Sequence, residues 1–275
     1  MPLSAVALAL GAAFLHAGWN VLLAGSRDTA AATAGLLSWG IALLAVPALL
    51  TGGVSAEAVP FIAASAALEL VYFVLLARAY AGGELSVVYP VARGSAPVVV
   101  LVFSAVALEE SVPLGAVVGV LAVAAGVVLV GLGALHFRFA AESAQARRDL
   151  LFGLAIGAVI ASYTVVDSEA VERADPIAYL ALVVAPCALV YPLVTRTRPD
   201  LGVRTALTAA ATFGAFLMIL AAFRLAPAAP VAALRETSVV IAALFAAVFL
   251  HEAVGVRRVA GALCVVAGVA AIAYS

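Results

Sequence analysis

"RGSAPVVVLVFSAVALEESVPLGAVVGVLAVAAGV" (residues 93–127) and "RETSVVIAALFAAVFLHEAVGVRRVAGALCVVAGV" (residues 235–269) align without a gap, 142 positions apart, with 15 of the 35 positions identical. Alanine and valine are common enough in this chain to inflate that count. The weight therefore rests on Arg93 over Arg235, Glu110 over Glu252, Gly119 over Gly261 and Gly126 over Gly268. A shift this long with charged residues and glycines in register marks an internally repeated chain. Towards the N-terminus the match weakens: "GAAFLHAGWN" (residues 11–20) resembles "GAVIASYTVVD" (residues 157–167) only loosely and at a different offset.

The segments on either side of the repeat are as apolar as the repeat itself. Of 275 residues 67% are hydrophobic and 11% charged, and the mean hydropathy is +1.24. A soluble domain alternates apolar stripes with charged faces. Here runs of about 20 apolar residues follow one another, the length a bilayer requires of a helix. The spans expected are 3–23, 30–51, 59–80, 86–108, 113–133, 150–170, 176–195, 203–223, 228–250 and 254–274. The first lacks a basic leading region and a small-residue cleavage site, so it is expected to stay as a span and not to serve as a cleaved leader. "HFRFAAESAQARRD" (residues 136–149) is the one connection long enough to separate two halves, 1–135 and 150–275. Five is odd, so one half is inverted relative to the other. The fold expected is an all-α membrane protein, ten transmembrane helices in two inverted five-helix repeats, an architecture of alternating-access transporters. Ten arginines flank one set of loops against two, Arg173 and Arg224, in the other, which places both termini outside.

Other functions lose ground on the same residues. The net charge of −1 comes with no basic patch interleaved with aromatics, so no nucleic-acid partner is expected. All fourteen basic residues are arginine, which excludes a lysine Schiff base and the cofactors that need one. Cys187 and Cys264 lie in apolar runs and read as small buried hydrophobes. His16, His136 and His251 are far apart, and no HExxH or phosphate-binding GxxxxGK[ST] motif occurs. An enzyme, a resident metal and a cofactor are not expected.

Ionisable groups at bilayer depth are costly and so are candidates for a transport pathway. Glu69 lies near the middle of span three, with Tyr72 and Phe73 on the same face at i+3 and i+4. It is either a hydrogen-bonded structural acid or a ligand for an amine or a proton. Arg93 and Arg235 lie about seven residues into their helices, on the order of 10 Å from an interface. They either snorkel or bracket a central site from opposite sides. Tyr89 is one turn before Arg93, and Pro90, Pro97 and Pro230 interrupt hydrogen bonding nearby. Glu236 follows Arg235 but points about 100° away on a continuous helix, so no salt bridge between them is expected. His16 and Asn20 share a face at i, i+4 with Trp19 alongside, a cavity edge unless Trp19 is an interfacial anchor. Tyr163 and Asp167 sit at similar depth in span six and are also i, i+4; Asp167 either shares that face or marks the span's exit, with Glu169, Glu172 and Asp175 solvated beyond it. Glu110 and Glu252 are expected to make loop contacts.

Taken together, "HAGWN" (16–20), "YPVARGSAP" (89–97), Glu110 and Glu252 at the ends of spans four and nine, and the glycine pairs of spans five and ten resemble the EamA-like branch of the drug/metabolite transporter superfamily. The resemblance covers nearly the whole chain and implies a ten-helix secondary carrier of small metabolites, often an exporter of amino acids or related compounds, in the cell (inner) membrane. The expected ligand is a small zwitterionic or anionic metabolite, contacted by His16, Trp19, Asn20, Glu69, Tyr72, Tyr89, Arg93, Tyr163, Arg235 and Glu236. Membrane lipid and a coupling proton are the other expected partners. A channel and a lipid-headgroup flippase of the same fold are the competing readings.

Overall fold

The computed structural model describes residues 1–24, 26, 28–51, 53–82, 85–107, 112–132, 144–249 and 255–275. The helices are α1 (Leu3–Ala24), α2 (Thr29–Leu50), α3 (Val59–Gly82), α4 (Leu85–Ala107), α5 (Leu114–Leu132), α6 (Ala144–Ala170), α7 (Pro176–Thr195), α8 (Val203–Phe223), α9 (Ala228–Arg235), α10 (Ser238–Phe249) and α11 (Val256–Tyr274). Among the described residues nine stretches are long and apolar enough to cross a bilayer, and α1 adds a shorter apolar run over Leu3–Trp19. The chain is a multi-span helical membrane protein. Its exterior is apolar, with Leu49, Leu50, Leu193, Leu263 and Val266 exposed where lipid covers them, and its interior holds the buried charges.

Two expected boundaries are corrected. α6 begins at Ala144, so part of the 136–149 connection is already helical. The ninth span, expected as one helix over 228–250, is broken into α9 and α10. Glu236 N–H donates to Ala233 O at 3.1 Å, Thr237 N–H to Leu234 O at 3.1 Å and Val239 N–H to Glu236 O at 3.0 Å, a tight i→i−3 turn. The Thr237 hydroxyl adds a bond to Leu234 O at 2.8 Å. Pro230, in the first turn of α9 where its missing N–H costs little, does not cause the break. Glu110, His136, Arg138, His251 and Glu252 lie outside the described residues.

Helix directions follow from close approaches at glycine. A Cβ on Gly119 would sit 2.7 Å from Gly268 O, and one on Gly126 would sit 2.6 Å from Gly261 O. Numbers rise along α5 as they fall along α11, so the pair is antiparallel. Because the sequence repeat equates Gly119 with Gly261 and Gly126 with Gly268, equivalent helices meet head to tail, and the repeats are inverted at this seam. Only glycine admits such carbonyls, and small residues let helices in lipid gain close packing.

The other directions agree. Gly153 abuts Val88 and Val91 while Gly157 abuts Ala92 and Ser95, making α6 and α4 parallel. Gly11 meets Met218 and Gly214 meets Leu15, making α1 and α8 antiparallel. Both results fit a direction that reverses at each successive span. The packing pairs also map onto one another when the halves are exchanged: α1 on α8 with α3 on α6, and α4 on α6 with α9 and α10 on α1.

Candidate functional site

The turn that ends α9 delivers a carboxylate to the centre of the bundle. Glu236 is fully buried, and Arg93 Nη1 from α4 donates to its Oε1 at 3.2 Å and its Oε2 at 3.3 Å. Arg235 Nε donates to the same Oε1 at 3.4 Å. This corrects the expectation that adjacent residues point apart: the 100° step holds only on a continuing helix, and here the helix stops at Arg235. Arg93 Nη2 donates to His16 Nε2 of α1, and the Arg93 Cζ lies 5.4 Å from the Tyr89 ring centroid. Neither arginine snorkels; Arg93 is 3% and Arg235 6% exposed. A buried charge removed from water is tolerated when paired and hydrogen-bonded, as this cluster is.

Beside the cluster lies a cavity of about 30 Å³. His16, Trp19, Thr33, Tyr72, Tyr163 and Arg235 give it its polar edge, and Phe73 and Phe216 close its far wall. Trp19 is buried and stands edge-on to His16 with ring centroids 4.8 Å apart, so it lines a cavity and is no interfacial anchor. Two donors on this edge lack an acceptor: Trp19 Nε1 and Arg235 Nη2. Tyr72 and Tyr163 pack edge to face with ring centroids 5.9 Å apart. The hydroxyls of Thr33 and Thr212 donate to Thr29 O and Thr208 O of their own helices at 2.8 Å. Their protons are thereby spent.

Glu69 stands apart from this edge. It is buried with neither carboxylate oxygen hydrogen-bonded, in a smaller space lined by Phe73, Leu180, Cys187, Phe213 and Phe216. Phe73 and Phe216 line both spaces, which adjoin there. One turn earlier on α3, Ser65 Oγ donates to Asp167 Oδ1 at 2.6 Å, and Tyr179 OH from α7 donates to the same oxygen at 2.6 Å. Asp167 is thus a buried member of the polar interior, which decides between the shared face and the exit of span six. α6 runs on to Ala170, and the chain beyond is tied down by Ser55 N–H on Arg173 O and Asp175 N–H on Gly53 O. The i, i+4 spacing of Tyr163 and Asp167 was the available signal. Ser65 and Tyr179 gave none, because a lone hydroxyl in an apolar run does not announce its partner.

His16, Trp19, Tyr72, Tyr163 and Arg235 therefore meet at one cavity, with Arg93, Tyr89 and Glu236 behind it and Glu69 in the adjoining space. The Asn20 side chain lies outside the described residues. No curated protein matches the chain. A solved structure known only as "Crystal structure of protein" superposes with a TM-score of 0.79 at 18% identity, covering 98% of this chain and 96% of that one, and shows the same fold. Residues 148–274, within the second half of the chain, match the model of the EamA-like transporter family.

Proposed function

We propose that the protein is a secondary carrier, working as an exporter in the cell (inner) membrane, that moves a small zwitterionic or anionic metabolite of amino-acid type by rocking residues 1–135 against residues 150–275. One observation carries the reading: two buried donors, Arg235 Nη2 and Trp19 Nε1, have no hydrogen-bond partner, and both residues line the same cavity. Leaving a buried donor unsatisfied costs about 1–3 kcal/mol, which an oxygen of a carboxylate ligand returns. At about 30 Å³ the cavity has room for roughly a water-sized guest, so this conformation is closed and substrate enters when the helices part. The break between α9 and α10 supplies the joint for that movement, as interrupted helices do in other carriers. Glu69, enclosed without hydrogen bonds, is stable there as the neutral acid and serves as the carrier of a coupling proton.

Thermal stabilisation of the purified protein by a metabolite panel tests this. A ligand at 100 times its dissociation constant adds roughly 2.7 kcal/mol. Counterflow of the labelled hit in liposomes is expected for a carrier, and a channel gives none. A panel that stabilises nothing, or a hit with no carboxylate or similar group, overturns the proposal.

A further inference from the structure

Counting charges around the cavity goes further than recognising an anion. Arg93 and Arg235 bring two guanidiniums, and Glu236 brings one carboxylate that both of them hold. The His16 ring nitrogen Nε2 is engaged by Arg93. Arg93 is used up: one terminal nitrogen is on Glu236, the other on His16, and its ring contact is Tyr89. It does not line the cavity. Arg235 gives its Nε to Glu236 and keeps Nη2 for whatever the cavity admits. Asp167 is turned to Ser65 and Tyr179, and Glu69 lies in the space that adjoins at Phe73 and Phe216. Within the Arg93–Arg235–Glu236 cluster one net positive charge remains, at the edge of a small and mostly apolar cavity, where an unbalanced charge is more costly than in bulk water.

We propose that Glu236 sets the charge of the ligand: by cancelling one of the two arginines it makes the cavity a site for a singly charged anionic group, a monocarboxylate end, and a poor one for dianions such as dicarboxylates. The inference rests on the anion-carrier reading above. It makes Glu236 a determinant of specificity that never touches the ligand, and Arg93 its partner in setting the charge. Specificity of this kind is a difference between two affinities, obtained here by a carboxylate that opposes a second negative charge.

Four proteins test the count: the wild type, Arg93→Gln, Glu236→Gln and the double variant carrying both. Each is titrated with lactate, leucine and succinate at neutral pH, with thermal stabilisation as the readout. In the wild type, lactate or leucine is expected to act at a concentration at least tenfold below succinate. Glu236→Gln, with two uncancelled guanidiniums, shifts that ratio at least tenfold towards succinate. Arg93→Gln, with none, weakens lactate and leucine at least tenfold although Arg93 lies outside the cavity. The double variant restores one net charge and the wild-type order of preference, a rescue that a merely structural role for either residue does not give. If Glu236→Gln fails to fold, the contrast between Arg93→Gln and the double variant still decides. An unchanged succinate-to-lactate ratio in all folded variants, or a double variant that behaves like Arg93→Gln, overturns the inference and leaves the anion site standing. Failure of every compound to stabilise any of the four overturns the anion-carrier reading itself.

Discussion

Arg93 and Arg235 occupy equivalent positions of the two repeats, yet α4 runs straight past its arginine while α9 stops at its own. α4 contains two internal prolines, Pro90 and Pro97, and remains a helix to Ala107. α9 ends five residues after Pro230. Proline content therefore does not decide where the chain breaks. The residue after each arginine does: Gly94 follows Arg93 and packs so tightly on α5 that a Cβ would meet Val128 at 2.6 Å, whereas Glu236 follows Arg235 and turns inward to the guanidiniums. One arginine consequently holds the carboxylate with its terminal nitrogen, and the other keeps a terminal nitrogen for the cavity. On the carrier reading proposed above, this asymmetry belongs to one closed conformation, and the roles exchange when the opposite face opens.

Unequal loss of stability is the largest expected way to break that comparison. Arg93→Ala leaves Glu236 buried with only the 3.4 Å contact to Arg235 and should cost about 3–5 kcal/mol, the usual penalty for breaking a buried pair from one side. Arg235→Ala leaves Glu236 with both bonds to Arg93 and should cost less than half as much. Denaturation in detergent measures both, and equal losses would remove the distinction between a holding and an offering arginine.

Packing at the α5–α11 seam comes next. Gly126→Val forces a side chain against Gly261 O, where even a Cβ would stand at 2.6 Å, and overpacking of this kind costs about 1–3 kcal/mol. Gly53→Ala, with nothing within 4 Å of the added carbon, has no clash to pay for; its backbone φ of 82° adds a strain of about 1 kcal/mol. A seam variant as stable as wild type would dispute the antiparallel contact from which the inversion is read.

Glu69→Gln keeps the shape of the side chain and removes its proton. Stability should change by less than about 1 kcal/mol, because neither carboxylate oxygen has a bond to lose. Proton-driven uptake into liposomes should be lost while counterflow persists. Loss of expression would instead mark Glu69 as a structural acid.

The smallest effect is expected on the connection between α7 and α8. Asp200 accepts Gly202 N–H at 3.0 Å and the Thr205 hydroxyl at 2.9 Å, and these bonds hold its carboxyl below the usual aspartate range. Because the folded value is the lower one, its contribution to stability is present above about pH 4 and fades as the pH falls through the lowered value. Asp200→Asn should lower the midpoint of thermal unfolding slightly at pH 7, and the difference should shrink in acid. A difference that grows in acid would contradict the sign.

Much of this was readable in the residues. Apolar runs of bilayer length gave the spans because a membrane permits little else than a helix. The glycines 142 positions apart gave the repeat, and they turned out to meet crosswise, Gly119 on Gly268 and Gly126 on Gly261, across α5 and α11. What escaped was set by tertiary contacts. Glu236 was assigned to a helical direction that exists only if the helix continues, and nothing local shows that Arg93, 143 residues away, draws it inward. Asp167 stayed open between the face of Tyr163 and the exit of its span, because its partners Ser65 and Tyr179 are unremarkable until α3 and α7 close on α6. Trp19 carried both an anchor and a cavity reading, and only the bundle chose between them.

The account stands most directly on ligand affinity in Arg93→Lys and Arg235→Lys. Lysine keeps the charge but loses the planar fork, so Arg235→Lys should weaken a carboxylate ligand by about 1–3 kcal/mol, with Arg93→Lys weakening it less in protein held in the closed conformation. Near-wild-type affinity in both variants would contradict the paired-arginine site while leaving the ten-span fold intact.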